Sequence, residues 1–309
     1  MLLAWLVEAS IGWPNWLFER IKHPVVWIGT LISALDSRLN RTQWSHTHRY
    51  LFGVASSLAV IGIATSLAYS ISLALPNSAL GFAGEALIAS SLLASRSLYT
   101  HVAAIFGPLN EGDLSAARTA VSMIVGRDPE HLNEAGIARA GLESLAENAS
   151  DGVIAPLFWG LIFGLPGLAA YKAINTLDSM IGHKTQQYRA FGGFAARLDD
   201  AANFVPARLT ALLISTASCK TAAFLVPLRE ASSHRSMNAG WPEAAMAGAL
   251  NIRLSGPRQY GEKHQEEPWL NETAMDPDAA TLKLGLAIYL RAMGLTGVLV
   301  SLGLLSVII

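Results

Sequence analysis

The sequence predicts an all-α integral membrane protein with four or five membrane spans, some broken or re-entrant, and with cytoplasmic polar helices and loops. Three observations lead there. Apolar side chains make up 52% of the 309 residues, mean hydropathy is +0.37, and only 15% are charged, against about 25% in an ordinary soluble domain. Residues 51–75 run for 25 positions without a charge, enough to cross a hydrocarbon core of about 30 Å as a tilted helix. Residues 292–309 are likewise uncharged and continue upstream through LGLAIYL and Arg291, whose long side chain can snorkel. Alternating strand patterns are scarce and no internal repeat or low-complexity tract is evident. The chain therefore reads as a single membrane domain over 1–309, with polar insertions at 111–151 and 229–282.

The opening MLLAWLVEAS has no basic leader, Glu8 interrupts its apolar run, and no cleavage site precedes Trp13-Pro14; it reads as a retained helix rather than a signal peptide. Trp5, Trp13, Trp16 and Trp27 suit either an interfacial belt or plain packing. Arg20, Lys22, Arg38, Arg41 and Arg49 precede the first secure span and place that side in the cytoplasm. Three further spans are weaker. Residues 86–110 carry Arg96 and His101, 209–228 carry Lys220, and 152–171 hold Pro156, Gly160, Gly164, Pro166 and Gly167. That Pro/Gly series suits a broken or re-entrant segment. A full crossing there would turn Lys172, Lys184, Arg189, Arg197 and Arg208 outwards, whereas a re-entrant one keeps every polar block cytoplasmic. Within 111–151, Asp113 or Ser115 can cap a helix over 114–125, and Asp128-Pro129 can open another. The single Cys219 excludes an intramolecular disulfide.

Net charge of −1 gives no basic field for nucleic acid. Neither a Walker loop, a Rossmann glycine fingerprint nor a Cys/His zinc spacing occurs. The chemistry instead gathers between residues 143 and 208. Charged groups beside membrane segments are costly unless paired, hydrated or turned to a cavity, which makes this stretch a functional-site hypothesis. Glu143, Glu147 and Asp151 recur at i, i+4 and i+8, so a continuous helix lines them up either as a solvated acidic face or opposite a divalent cation. Ser150-Asp151-Gly152 then reads as a helix stop. In NTLDSMIGHK, Asn175, Asp178 and Ser179 share a helix face that Gly182 ends before His183 and Lys184. RLDDAANFVPAR sets Asp199 and Asp200 one turn before Asn203, between Arg197 and Arg208. This suits either a magnesium and phosphate site or a helix start with surface Arg–Asp pairs. Farther on, HRSMNAGWPEAAMAGALNIRLSGPRQYGE offers His234, Arg235, Asn238, Glu243 and Arg258, with Trp241 able to stack on a flat ligand or simply to pack.

Taken in order, HPVVWIG (23–29), ENASDG (147–152), APLFW (155–159), YKAINTLDSMIGH (171–183), FGGFAARLDDAANFVPARL (191–209) and HRSMNAGWPEAAMAGAL followed by GPRQYG resemble the CobD/CbiB family of cobalamin-biosynthesis membrane proteins over nearly the whole chain. Three departures stand out: Val26 where an Arg usually follows HPV, Met237 where Pro is common before NAG, and Ser255 where Gly precedes GPR. The resemblance implies a multi-pass inner-membrane enzyme with its active face in the cytoplasm, an adenosylcobinamide-phosphate synthase. It would join adenosylcobyric acid to aminopropanol phosphate using ATP and Mg2+. On that footing Glu147, Asp151, Asp178, Asp199 and Asp200 are the expected metal and phosphate ligands. Lys184, Arg197 and Arg235 neutralise phosphate or the corrinoid carboxylate, and His183 or His234 takes the amine proton. Asn148, Asn175, Asn203 and Asn238 are expected to bind corrinoid amides, with Trp241 and Arg258 also at substrate. The implied partners are the corrinoid, the amino-alcohol phosphate and the bilayer, with a second copy or other cobalamin-pathway membrane proteins as further possibilities. A non-catalytic membrane sensor of AmpE type is the alternative, and a transporter ranks below it because no inverted repeat is present.

Overall fold

The structure, a computed structural model, describes residues 1–125, 129–260, 263–265 and 267–308; at 15, 258–260, 263–265 and 304–308 it describes the backbone only. The described helices in chain order are α1 (Leu2–Ile11), α2 (Asn15–Ile21), α3 (Pro24–Leu39), α4 (His46–Ala74), α5 (Ala79–Ser90), α6 (Ser95–Asn110), α7 (Leu114–Ser122), α8 (Glu134–Ala149), α9 (Ala155–Ile181), α10 (Gly193–Ser218), α11 (Thr221–Glu230), α12 (Gly240–Leu250) and α13 (Ala279–Ile308). The described strands form two short antiparallel ladders, Leu254–Ser255 with Trp269–Leu270 and Arg258–Tyr260 with Lys263–Gln265.

Three helical stretches are long and apolar enough to cross a membrane: His46–Ala74, Glu134–Ile181 and Ala279–Gly303. On α4 the large apolar residues Leu58, Ile63, Leu67 and Leu73 are exposed, as a lipid-facing helix requires. The weaker stretches are interrupted. Residues 86–110 divide between α5 and α6, and 209–228 divide at Cys219, which takes a positive φ of 54° between α10 and α11. Length and composition thus mark three long helices where four or five spans were expected. The Pro/Gly stretch 152–171 is broken as expected: Gly164 leaves helical geometry at φ 67° within α9, two residues before Pro166.

Two expected helix boundaries move. Ser150-Asp151-Gly152 does not stop the helix; Ser150–Ile154 is a π-helical turn that joins α8 to α9. One wider turn keeps the backbone bonded while rotating the residues beyond it, so the even carboxylate spacing no longer describes one face. The helix expected to open at Asp128-Pro129 opens instead at Asn133, whose Oδ1 accepts from the Gly136 amide at 2.9 Å, while Arg127 and Asp128 lie outside the described residues. The cap at Asp113 is as expected, accepting from Ala116 at 3.0 Å.

The chain divides into two compact units, one of Met1, Leu3–Arg96 and Ala155–Asn203, the other of Leu2, Ser97–Ile154 and Phe204–Ile309. In the first, α9 packs against α4 and α3 around Ile32, Val60, Leu177, Ile181 and Phe191. The first helix is fastened to this unit through its polar residues. The Glu8 carboxylate accepts from the backbone amides of Ser95 at 2.8 Å and Arg96 at 3.0 Å, and Trp5 Nε1 donates to Ser95 Oγ at 2.8 Å. These amides open α6, so Glu8 supplies the acceptor that a helix N-terminus lacks. In the second unit α8 packs against α13 and α12, and α12 against α11.

Candidate active site

In the first unit α9 turns back into α10 through residues 182–192. The reversal is tight because glycines stand where backbones and side chains meet. A Cβ on Gly192 would run into the Ile181 carbonyl, and one on Gly182 into the Asp178 carboxylate. The two helices then pair outward from the turn. Asp178 stands within electrostatic reach of Asp199 and Asp200, and two turns farther from the reversal Tyr171 meets Asn203. Tyr171, Asn175 and Asp178 share one face of α9 at i, i+4 and i+7, and Asp199 and Asn203 share one face of α10 at i and i+4.

The pairing builds a buried chain of hydrogen bonds. Tyr171 Oη donates to Asn203 Oδ1 at 2.8 Å, and Asn203 Nδ2 donates to Asp199 Oδ2 at 3.0 Å. Tyr171 and Asn203 are 1% exposed and Asp199 8%. Asp199 Oδ1 is buried and takes no hydrogen bond of ordinary geometry, although Asn175 stands close enough to favour the charged form. Burial pushes the Asp199 carboxyl up to about 7, the Asp178 charge pushes the same way, and the Asn203 and Asn175 amides oppose both. Asp200, half-buried, is raised by desolvation and lowered by Lys184. His183 and Lys184 are exposed beside this group, and Arg197 is exposed on α10.

Seven expected residues therefore gather at one helix reversal: Asn175, Asp178, His183, Lys184, Asp199, Asp200 and Asn203. Asn203, expected at substrate, spends its amide on Tyr171 and Asp199. Among the described residues no three His, Cys, Asp or Glu side chains close around a metal-sized point. The pair of Asp178 and Asp199, whose Oδ1 takes no hydrogen bond of ordinary geometry, fits a hard cation that draws its other ligands from water and phosphate, as Mg2+ usually does. Beside the chain, Tyr171, Trp159, Phe163, Ile174, Leu198 and Ala202 line an apolar groove of about 320 Å3. Trp159 is fixed there by its Nε1 bond to the Ala202 carbonyl at 3.0 Å and stacks on Phe163.

Elsewhere in this unit, His23 of HPVVWIG accepts from the Val25 amide as N-cap of α3. Burial, then the Lys172 charge, hold its imidazole down at about 4, against a hydrogen bond at the Ser91 backbone, so it is a neutral acceptor.

The remaining expected residues belong to the second unit. Glu147 and Asn148 are exposed and Asp151 half-buried, whereas Glu143 is buried and accepts from the Ser255 amide at 2.8 Å. Glu143 thus holds the backbone at Ser255, the end of the Leu254–Ser255 strand, instead of joining an acidic face. His234 Nε2 lies 3.6 Å from Glu243 Oε2, both buried, and exposed Arg235 reaches buried Glu267 at 3.1 Å. The Arg208 guanidinium sits over Phe204 and Trp241 and donates to Asn238 Oδ1 at 3.1 Å, so a cation covers one face of the ring expected to stack on a ligand. The Arg258 side chain lies outside the described residues. Sequence reading quoted Tyr171 only as the first residue of YKAINTLDSMIGH and gave it no role; it gave none to Glu243 either, and at the site it weighed Arg208 only as a flank of the Asp199–Asp200 pair.

Fold and site together define an α-helical membrane protein with a buried carboxylate and amide cluster at a helix reversal. The chain belongs to the CobD/CbiB family: the family's sequence model, described as CobD/Cbib protein, matches residues 1–289. It is similar to the cobalamin biosynthesis protein CobD of Rhodobacter capsulatus, 53% identical over 309 residues that cover all of this chain and 97% of that protein. The protein of the same name from Brucella anthropi is 45% identical over 99% of this chain and 97% of its own, and that from Sinorhizobium sp 46% over 94% and 93%. No solved structure matches the chain.

Proposed function

We propose that this cobalamin-biosynthesis protein is the amide-forming adenosylcobinamide-phosphate synthase, joining the free carboxylate of adenosylcobyric acid to the amine of aminopropanol phosphate with ATP and Mg2+. The observation that carries the reading is the buried Oδ1 of Asp199, without a hydrogen bond of ordinary geometry, beside Asp178, within a chain whose family match covers residues 1–289. Amide formation from a carboxylate and an amine is uphill in water, so one carboxylate oxygen must first be made a leaving group, as an acyl phosphate. The substrate carboxylate attacks the terminal phosphorus of ATP and ADP departs. The amine nitrogen then attacks the acyl carbon, inorganic phosphate leaves, and the amine gives up a proton.

Bound Mg2+ would offset phosphate charge during transfer. Asp178 and Asp199 would hold it, with Asp200 beside Lys184 at the edge of the same cluster. Lys184 and Arg197, both exposed, suit phosphate oxygens that arrive with substrate. His183, next to Asp178, is the acceptor assigned to the amine proton. The groove at Trp159 and Tyr171 is a place for an apolar edge of the corrinoid. In the second unit, the assignment of Glu147 and Asp151 to metal, of His234 and Arg235 to catalysis, and of Asn148, Asn238, Trp241 and Arg258 to substrate rests on the family resemblance. Four or five crossings would require α5 with α6, or the 209–228 stretch, to enter the bilayer as broken segments.

The reading is tested with adenosylcobyric acid labelled with 18O in its free carboxylate. Activation through an acyl phosphate transfers one label to inorganic phosphate for each amide formed. Amide formation with unlabelled phosphate refutes that route, and folded protein making neither amide nor ADP favours a non-catalytic sensor.

A further inference from the structure

Asp199 is held by Asn203, and Asn203 in turn by Tyr171, the first residue of YKAINTLDSMIGH, which has no role assigned from sequence. A carboxylate only accepts hydrogen bonds, so the Asn203 amide must turn its NH2 towards Asp199, which leaves Oδ1 facing Tyr171. The Tyr171 hydroxyl donates there at 2.8 Å and thereby fixes which way the amide points. Burial makes the arrangement strict: with 1% exposure at both Tyr171 and Asn203, water has little access to replace either partner. The chain occupies Oδ2 of Asp199 and leaves Oδ1 without a hydrogen bond of ordinary geometry, with the Asn175 amide near the same carboxylate. Without the hydroxyl, Asn203 Oδ1 loses its donor, and an amide turned over to find another would set its oxygen against the Asp199 carboxylate.

We propose that Tyr171 and Asn203 are positioning residues which present Asp199 Oδ1 to a divalent cation, the Tyr171 hydroxyl acting on Asp199 through Asn203. This rests on the reading of Asp199 as a Mg2+ ligand. Groups that orient a metal ligand typically cost tenfold or more in affinity when removed, so Tyr171→Phe is expected to weaken Mg2+ binding by about tenfold. The ring that lines the groove is kept in that variant.

The experiment is calorimetric titration of Mg2+ into purified full-length protein in lipid nanodiscs, for wild type, Tyr171→Phe, Asn203→Ala and the double variant, with Asp199→Asn as control. The expected result is weaker binding in each single variant and no further loss in the double one. Independent, additive losses overturn the claim that Tyr171 works through Asn203. Wild-type affinity in Tyr171→Phe, while Asp199→Asn abolishes binding, overturns the inference and leaves the metal reading standing. Wild-type protein that binds no Mg2+ overturns both. If Tyr171→Phe does not fold, Asn203→Ala decides alone: unchanged affinity overturns the proposal and a tenfold loss supports it.

Discussion

Replacing Asp199 by Asn measures how strongly this fold resists a charge at that position. Asp199 is 8% exposed and titrates near 7 in the folded protein, chiefly because of burial and secondly because of Asp178, against about 4 in an unfolded chain. Between those values the folded state keeps a proton that the unfolded state has released. The raised carboxyl therefore leaves stability intact at low pH and removes it progressively as pH rises from about 4 to about 7. That gap sets a destabilisation of a few kcal/mol above neutrality, as an order of magnitude. Asn keeps the shape and carries no charge at any pH. The variant is expected to match wild type at about pH 4 and to exceed it at about pH 8 by a sizeable part of that amount. The assay is thermal unfolding in nanodiscs with chelator present, followed by near-ultraviolet circular dichroism across this range. Only the difference between the two proteins isolates Asp199 from other titrating groups. Adding Mg2+ at the upper pH should raise the wild-type transition and leave the variant unmoved. A difference that stays constant with pH, or has the opposite slope, refutes the account of this site.

Three further outcomes are expected from the geometry. Glu8→Ala removes the acceptor for the Ser95 and Arg96 amides and is expected to cost about 1 to 3 kcal/mol, read as a lower melting temperature and faster proteolysis near the first helix; an unchanged melt contradicts the capping role. Gly192→Ala drives a methyl into the Ile181 carbonyl and should abolish folded protein in detergent extracts, whereas normal yield and melting would show that the reversal can open. Ser255, at φ 59° and with a buried hydroxyl that lacks a hydrogen-bond partner, is expected to gain about 1 kcal/mol on replacement by Gly, seen as a higher melting temperature.

Much of this was legible before the structure. The long uncharged run of α4 shows itself directly, because lipid demands what composition reports. Gly164 and Pro166 announced the break in α9, and Asp113 and Gly182 announced helix ends, because caps and breakers act locally. The stretches at 86–110 and 209–228 are each divided between two helices, and hydropathy averages across a break that only backbone geometry at Cys219 or between Ser90 and Ser95 reveals. The π turn at Ser150–Ile154 was invisible for a related reason: i+4 arithmetic assumes a uniform helix, and one inserted residue undoes it. Within the site, Asp178, Asp199 and Asp200 declared themselves by charge in an apolar chain. Tyr171 did not, since a tyrosine at helical spacing among apolar residues looks like packing until its hydroxyl is seen against Asn203. Asn203 itself was recognised as polar but given to substrate, because a sequence shows that an amide is present and not what it already holds.

The most direct test of the central claim is a coupled assay of purified protein with adenosylcobyric acid, aminopropanol phosphate and ATP, titrated with Mg2+ and followed by mass spectrometry of the corrinoid together with ADP release. The account predicts one amide per ADP, no product without a divalent cation, and loss of both in Asp199→Asn protein that is folded. Full amide synthesis by Asp199→Asn, or by wild type with chelator in excess, would contradict it.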